Sequence, residues 1–187
     1  TEESDMKYAA FYAQDEWKIN RNLLLIPSVR WDYNDTFGSK VTSKIGSTYH
    51  LSKNARIKAN LGSAYRAPTA SELYMDWTHG SYAYIIGNPD LRPETALNFD
   101  IGIEAEKGRT SGKLSYFHNK VKDMIDYEYE GITSGLFTYK YYNIDNATIQ
   151  GVETDVKQKL GDKFSLHSTY TYLNDINSDT GERDRKS

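Results

Sequence analysis

Four histidines and no cysteine bound the metal and nucleophile chemistry open to this 187-residue chain. Thiolate ligands, disulfides and cysteine nucleophiles are excluded by composition alone. His50, His118 and His167 each stand without a second ligand at helix or hairpin spacing, so each reads as structural. His79 stands apart because it lies in Asp76-Trp77-Thr78-His79-Gly80, with Tyr74, Tyr82 and Tyr84 close by in sequence. A neutral imidazole nitrogen is a metal ligand, and the neighbouring rings offer flat faces for stacking on an aromatic ligand. Arg92 and Arg66 flank the same stretch and supply the charge that an anionic ligand needs, although Arg66 serves a structural role equally well. No catalytic pattern is present: G-x-S-x-G, H-E-x-x-H, a P-loop and a strand-linked G-x-G-x-x-G are all missing. The acid pairs Asp15-Glu16 and Glu104/Glu106 fall in strand patterns, where a solvated position is the default, so the chain reads as a binding protein rather than an enzyme.

The elements that must position these residues are strands. With 23 basic and 26 acidic residues the net charge is −3, which leaves no basic footprint for nucleic acid. The longest charge-free apolar run, Leu23 to Pro27, is far short of the roughly 20 residues a membrane helix needs. Only 38% of residues are hydrophobic and mean hydropathy is −0.73, yet there are 16 tyrosines. A membrane β-barrel satisfies all of this, since its strands place apolar residues at every second position and so depress the average.

Alternation fits that architecture. Ala9, Phe11, Ala13, Trp17 and Ile19 share one parity, then Leu23, Leu25, Val29, Trp31 and Tyr33, then Val41, Ile45, Tyr49 and Leu51, then Ala55, Ile57, Ala59, Leu61 and Tyr65. After an irregular stretch from Arg66 to Glu94, Leu97, Phe99, Ile101, Ile103 and Ala105 give the cleanest pattern. A strand near 113–127 has an open register, because Leu114 and Tyr116 favour one face while Phe117 and Val121 favour the other. A Gly/Tyr-rich connection, Glu128 to Asn143, leads to Val152, Thr154, Val156 and Leu160, and then to Phe164, Leu166, Tyr170 and Tyr172.

Eight strands result, with compact breaks after the odd-numbered ones and longer breaks after the even-numbered ones, as in an up-and-down barrel. Trp17, Tyr49 and Phe164 fall at the short-turn rim and Trp31, Tyr65 and Tyr172 at the long-loop rim, giving two aromatic girdles. Arg30, Asp32, Arg56, Lys58, Asp100, Glu104, Glu153 and Asp155 take the opposite face, which is a wet lumen in a barrel and bulk solvent in a soluble β-rich adhesion or binding domain.

Ala64-Tyr65-Arg66-Ala67-Pro68 opens the long connection and Gly87-Asn88-Pro89-Asp90-Leu91-Arg92-Pro93 closes it. These segments resemble the YRAP/FRAP and NPDL/NPNL boxes of TonB-dependent outer-membrane receptors. YAAFYAQDEW (Tyr8 to Trp17), LSYFHNKVKDMI (Leu114 to Ile125) and the N-x-x-x-A-x-I-x-G-V-E pattern (Asn143 to Glu153) also resemble that family, in the expected order across nearly the whole chain.

The resemblance implies an all-β, antiparallel, up-and-down transmembrane barrel segment in the bacterial cell outer membrane. Residues 1–187 then supply about eight of some 22 strands, roughly the tenth to the seventeenth, with 66–94 as an extracellular loop. The plug domain, through which the receptor meets TonB, the TonB box and the closing strands lie outside such a segment. The partners implied are outer-membrane lipid, TonB and a small-molecule iron complex, with no intrinsic cofactor. Haem-specific members carry a histidine near the place of His79, so the resemblance makes His79 a haem axial ligand, with Tyr74, Trp77, Tyr82, Tyr84 and Arg92 completing the ligand-binding set. Haem is accordingly expected ahead of a ferric siderophore, with a catecholate-siderophore and colicin receptor as the alternative.

Overall fold

The computed structural model describes residues 7–144 and 146–177. Strands β1 (Tyr8–Gln14), β2 (Trp17–Lys18), β3 (Leu23–Asn34), β4 (Gly38–Ser52) and β5 (Ala55–Arg66) come first. A helix α1 (Ala70–Tyr74) and strands β6 (Asp76–His79) and β7 (Ala83–Ile86) follow. The remaining strands are β8 (Glu94–Lys107), β9 (Thr110–Lys122), β10 (Met124–Thr133), β11 (Leu136–Ile144), β12 (Ala147–Leu160) and β13 (Phe164–Asn177).

The long strands form one antiparallel wall in the order β1-β3-β4-β5-β8-β9-β12-β13, with β2 extending β1 along β3. These are the eight strands expected from alternation. Each pairs with its neighbour in sequence except where a second sheet intervenes. Cross-strand register carries one apolar row through Leu25, Ser47, Ala59, Ile101, Tyr116, Val152 and Tyr172. The neighbouring polar-face row pairs Arg56 with Glu104, Glu104 with Lys113 and Lys113 with Asp155. Arg56 and Lys58 reach Glu104 at 2.7 and 3.0 Å, and His167 reaches Asp155 at 2.6 Å.

The open register near 113–127 resolves by the same rule. Leu114 and Tyr116 pair with Ile103 and Ile101 on the apolar face, and Phe117 pairs with Asp100 and Gly151 on the polar face. Phe117 is accommodated because Gly151 carries no side chain: a Cβ there would stand 2.7 Å from the Phe117 ring and 2.3 Å from the Tyr172 carbonyl oxygen.

Three expectations are corrected. The first strand breaks at Asp15, whose carboxylate accepts bonds from the Glu16 amide and the Trp17 indole, both at 2.8 Å, and so interrupts the ladder. The connection after β3 is a tight turn, because the Asn34 side-chain oxygen accepts from the Thr36 and Phe37 amides at 2.8 and 3.0 Å. The strand expected over 113–127 stops at Lys122, and the stretches 66–94 and 128–143 are not irregular: 66–94 holds α1, β6 and β7, and 124–144 holds β10 and β11, the four strands forming a second sheet, β10-β11-β7-β6. Buried apolar side chains concentrate around this second sheet, where Leu73, Leu91 and Ile125 cluster with Phe37 and Tyr141 against them. The wall keeps its apolar residues exposed, as a surface facing lipid requires.

Candidate functional site

Arg66 ends β5 on the polar face and joins four elements. Its Nε and Nη2 donate to the two Glu94 oxygens at 2.7 Å each, and its Nη1 donates to both Glu72 oxygens at 2.9 Å. Glu94 also accepts the Ile125 amide at 2.7 Å, which ties β10 to the same carboxylate. Glu72 completes a capping box with Thr69, so one side chain both starts α1 and anchors it to the wall. Leu73, next in α1, is thereby pressed onto Leu91 and Ile125.

The Asn88–Arg92 box ties the two long connections together. The Asn88 side-chain amide donates to the Tyr141 carbonyl at 2.9 Å, and its oxygen accepts the Asp90 amide at 3.0 Å. Asn143 accepts the Arg92 amide at 2.7 Å and donates to the Arg92 and Asp123 carbonyls at 2.8 Å each. Gly87 is required by a close approach, since a Cβ there would meet the Met75 nitrogen and the Leu73 carbonyl at 2.6–2.7 Å.

Parallel pairing of β11 with β7, from Phe137↔Ala83 to Lys140↔Ile86, joins the hairpins into one sheet. Register then sorts its side chains. Trp77, His79, Ile85, Phe137, Tyr139 and Tyr141 share a face with Tyr127, Tyr129 and Ile125; the other face carries Asp76, Tyr84, Lys140, Tyr142, Asp126 and Glu128. On the first face the rings of Tyr127, Tyr129, Phe137, Tyr139 and Tyr141 lie 5.7–6.1 Å apart in tilted and edge-on pairs, the preferred geometries for aromatic contact. On the second, Tyr84 donates to Asp76 and Tyr142 to Glu130, both at 2.7 Å, and the Lys140 ammonium lies 5.4 Å from the Tyr142 ring centre. Ile125 and Tyr141 belong to the ring face and pack on α1, which Arg66 holds to the polar side of the wall. The ring face therefore continues the polar side of the wall upward.

Of the residues singled out from sequence, His79, Trp77 and Tyr82 come together: the imidazole lies 4.7 Å from the Trp77 ring and 5.1 Å from that of Tyr82. Tyr84 is turned to the opposite face, and Tyr74 is exposed at the end of α1, outside that ring cluster. Arg66 is committed to its two glutamates, whereas Arg92 pairs with Asp123 at 2.5 Å and stays largely exposed. Sequence reading passed over Tyr127, Tyr129, Phe137, Tyr139 and Tyr141; strict alternation across Tyr127, Tyr129 and then Phe137, Tyr139, Tyr141 was the available signal. Hydrogen bonds to Asp76 and Glu130 raise the Tyr84 and Tyr142 phenols above their ordinary value, and burial, then the Glu72 charge, raises Tyr141. These hydroxyls stay protonated at neutral pH and remain donors.

Residues 1–186 match the family model for the TonB-dependent receptor-like β-barrel. The chain is 26% identical to the ferric enterobactin receptor of Pseudomonas aeruginosa over 96% of its own length and 27% of that protein's. It is 32% identical to the vitamin B12 transporter BtuB of Vibrio vulnificus over 72% of this chain and 20% of that one. The crystal structure of the siderophore receptor PirA from P. aeruginosa superposes with a TM-score of 0.82 at 23% identity, covering 91% of this chain and 34% of PirA, which establishes the fold. The chain thus spans about a quarter of the length of the curated relatives it matches. The match removes the soluble adhesion alternative: the chain belongs to the TonB-dependent receptor β-barrel family of the bacterial outer membrane.

Proposed function

We propose that the receptor containing this barrel segment takes up a ferric catecholate siderophore, energised through TonB, and that the ring face of the second sheet is where the ligand first settles. The observation that carries this reading is the face itself. It sets Trp77, His79, Tyr127, Tyr129, Phe137 and Tyr139 in one surface drawn from both long connections, on the side that continues the polar face of the wall. Catechol rings stack on such a surface and accept hydrogen bonds from its phenols. The likeness to an enterobactin receptor supports the ligand class.

His79, Trp77 and Tyr82 stay in the ligand set. Tyr84 and Arg92 leave it, Tyr74 lies at its margin, and the rings of β10 and β11 enter. Haem, expected first on the strength of His79, is named by none of the relatives given above. In this reading His79 is one ring among several rather than an iron ligand. Recognition of the ligand's negative charge falls mainly to residues beyond this face, because Arg66 is held by two carboxylates and Arg92 shares its charge with Asp123.

Titration of the complete receptor with ferric enterobactin, hemin and cyanocobalamin, followed by quenching of intrinsic fluorescence, tests the proposal. The expected result is tight binding of the catecholate complex alone, weakened in Tyr129→Ala and Tyr139→Ala. Tight hemin binding with a Soret shift that disappears in His79→Ala overturns it in favour of haem, and selective cyanocobalamin binding overturns it in favour of a corrinoid.

A further inference from the structure

One guanidinium stands at the root of both halves of the ring face. From Arg66 the first path runs through Glu72, whose side chain completes the cap of α1 and whose own carbonyl accepts the Asn88 amide at 2.8 Å. Three residues on, the Met75 carbonyl accepts the Gly87 amide at 2.6 Å and closes the base of the β6–β7 hairpin, which carries Trp77 and His79. The second path runs through Glu94 to the Ile125 amide at the start of β10, the strand of Tyr127 and Tyr129. The seam where the two halves pair, β7 with β11, is four residue pairs long. The side chains of Glu72 and Glu94 are 15% and 17% exposed, so each carboxylate needs a partner for its charge, and Arg66 is the cation both share.

We propose that Arg66 is the positioning residue of the capture site: by gripping both carboxylates at once it fixes the two hairpins in the mutual placement that makes one ring surface, and so sets the fraction of receptors ready to take the ligand. This role rests on capture at the ring face and not on which ligand is captured. The planar fork is what it requires, since Arg66 meets Glu94 through two nitrogens and Glu72 through the third. An ammonium carries the same charge as a point donor and cannot hold both carboxylates in this fixed geometry. Arg66 touches no ligand; it acts through the placement of Trp77, His79, Tyr127 and Tyr129. With the grip lost, the assembled arrangement becomes a minority state and apparent affinity falls with its population, while saturating ligand draws the receptor back into it.

Two measurements on the complete receptor test this, scored on barrels that heat-modifiable gel mobility identifies as folded. In the first, spin labels at Ser81 and Thr133, at the tips of the two hairpins, report the distance between the halves by double electron–electron resonance with no ligand present. Wild type should give one narrow distribution, and Arg66→Lys and Glu94→Gln a broad one. In the second, TonB-dependent uptake of ferric enterobactin is followed against its concentration. Arg66→Lys should raise the half-saturating concentration about tenfold, as for an assembled fraction of about one tenth, and leave the maximal rate within about twofold. The Arg66→Lys/Glu94→Gln double variant should be no worse than either single one, because both break the same joint. A narrow, wild-type distribution in Arg66→Lys overturns the proposal, as does a fall in maximal rate with the half-saturating concentration unchanged. Failure of wild type to take up ferric enterobactin removes the ligand assignment alone, and the distance measurement still decides the role of Arg66.

Discussion

The wall and the mouth sheet are built by opposite rules. In the wall every pair is antiparallel, strands adjacent in sequence pair except at β5–β8 and β9–β12, and one face is apolar, as a surface toward lipid requires. In the mouth sheet, β11 pairs in parallel with β7, about fifty residues earlier. Its two faces differ in chemistry, rings on one and charged or hydroxyl groups on the other, rather than in contact with lipid. The wall draws stability from its surroundings. The mouth draws it from a small buried cluster and from hydrogen bonds to Arg66, Asn88 and Asn143. Substitutions that sense the bilayer should act on the wall, and those that sense internal fit should act on the mouth.

The largest effect is expected where a charge meets lipid. Ile101→Arg should lower the stability of the folded barrel in bilayers by about 2–4 kcal/mol. Thr171→Arg, on the polar face, should stay within about 0.5 kcal/mol, both read from urea unfolding in lipid. Equal costs would erase the distinction between the faces.

Next comes the close approach in the mouth. Gly87→Ala places a Cβ against backbone atoms of α1 and should cost about 1–3 kcal/mol locally. Amide exchange should speed up in 67–93 and 123–144 together while the wall stays protected. Exchange that quickens in 67–93 alone would show that the two connections are independent.

A smaller effect belongs to the rings. Tyr129→Ala and Tyr139→Ala each remove ring contacts worth about 0.5–1.5 kcal/mol per pair and should weaken ligand binding several-fold in a fluorescence titration. Smallest of all, Tyr84→Phe alters only the opposite face and should change the same affinity by less than about twofold. A larger loss from Tyr84→Phe than from Tyr139→Ala would put the ligand on the wrong side of the sheet in our account.

The wall was legible because a strand with lipid on one side has a two-residue period, and Leu97 to Ala105 displays it without interruption. Phe117 misled because an aromatic residue on the polar face breaks that period, and what permits it, Gly151, lies on another strand. The mouth sheet was hidden for a different reason. Its strands are only four residues long at β6 and β7, and their partner arrives from a remote segment, so no local pattern announces the pairing. The boxes around Arg66 and Asn88 were visible as motifs, but their work was not: Arg92 reads as a free cation until Asp123, brought to it by folding, stands beside it. Tyr84 and Trp77 read as one aromatic set because sequence proximity says nothing about which way each ring turns.

The parallel pairing of β11 with β7 also bears on how such receptors are re-engineered. A graft that replaces 67–93 with the corresponding loop of another receptor leaves β11 facing a foreign strand and strips Asn88 from the Tyr141 carbonyl. Recombination that respects this architecture exchanges 67–146 as a single cassette, both connections together with β8 and β9, with breakpoints in the wall strands β5 and β12, where antiparallel register tolerates a junction.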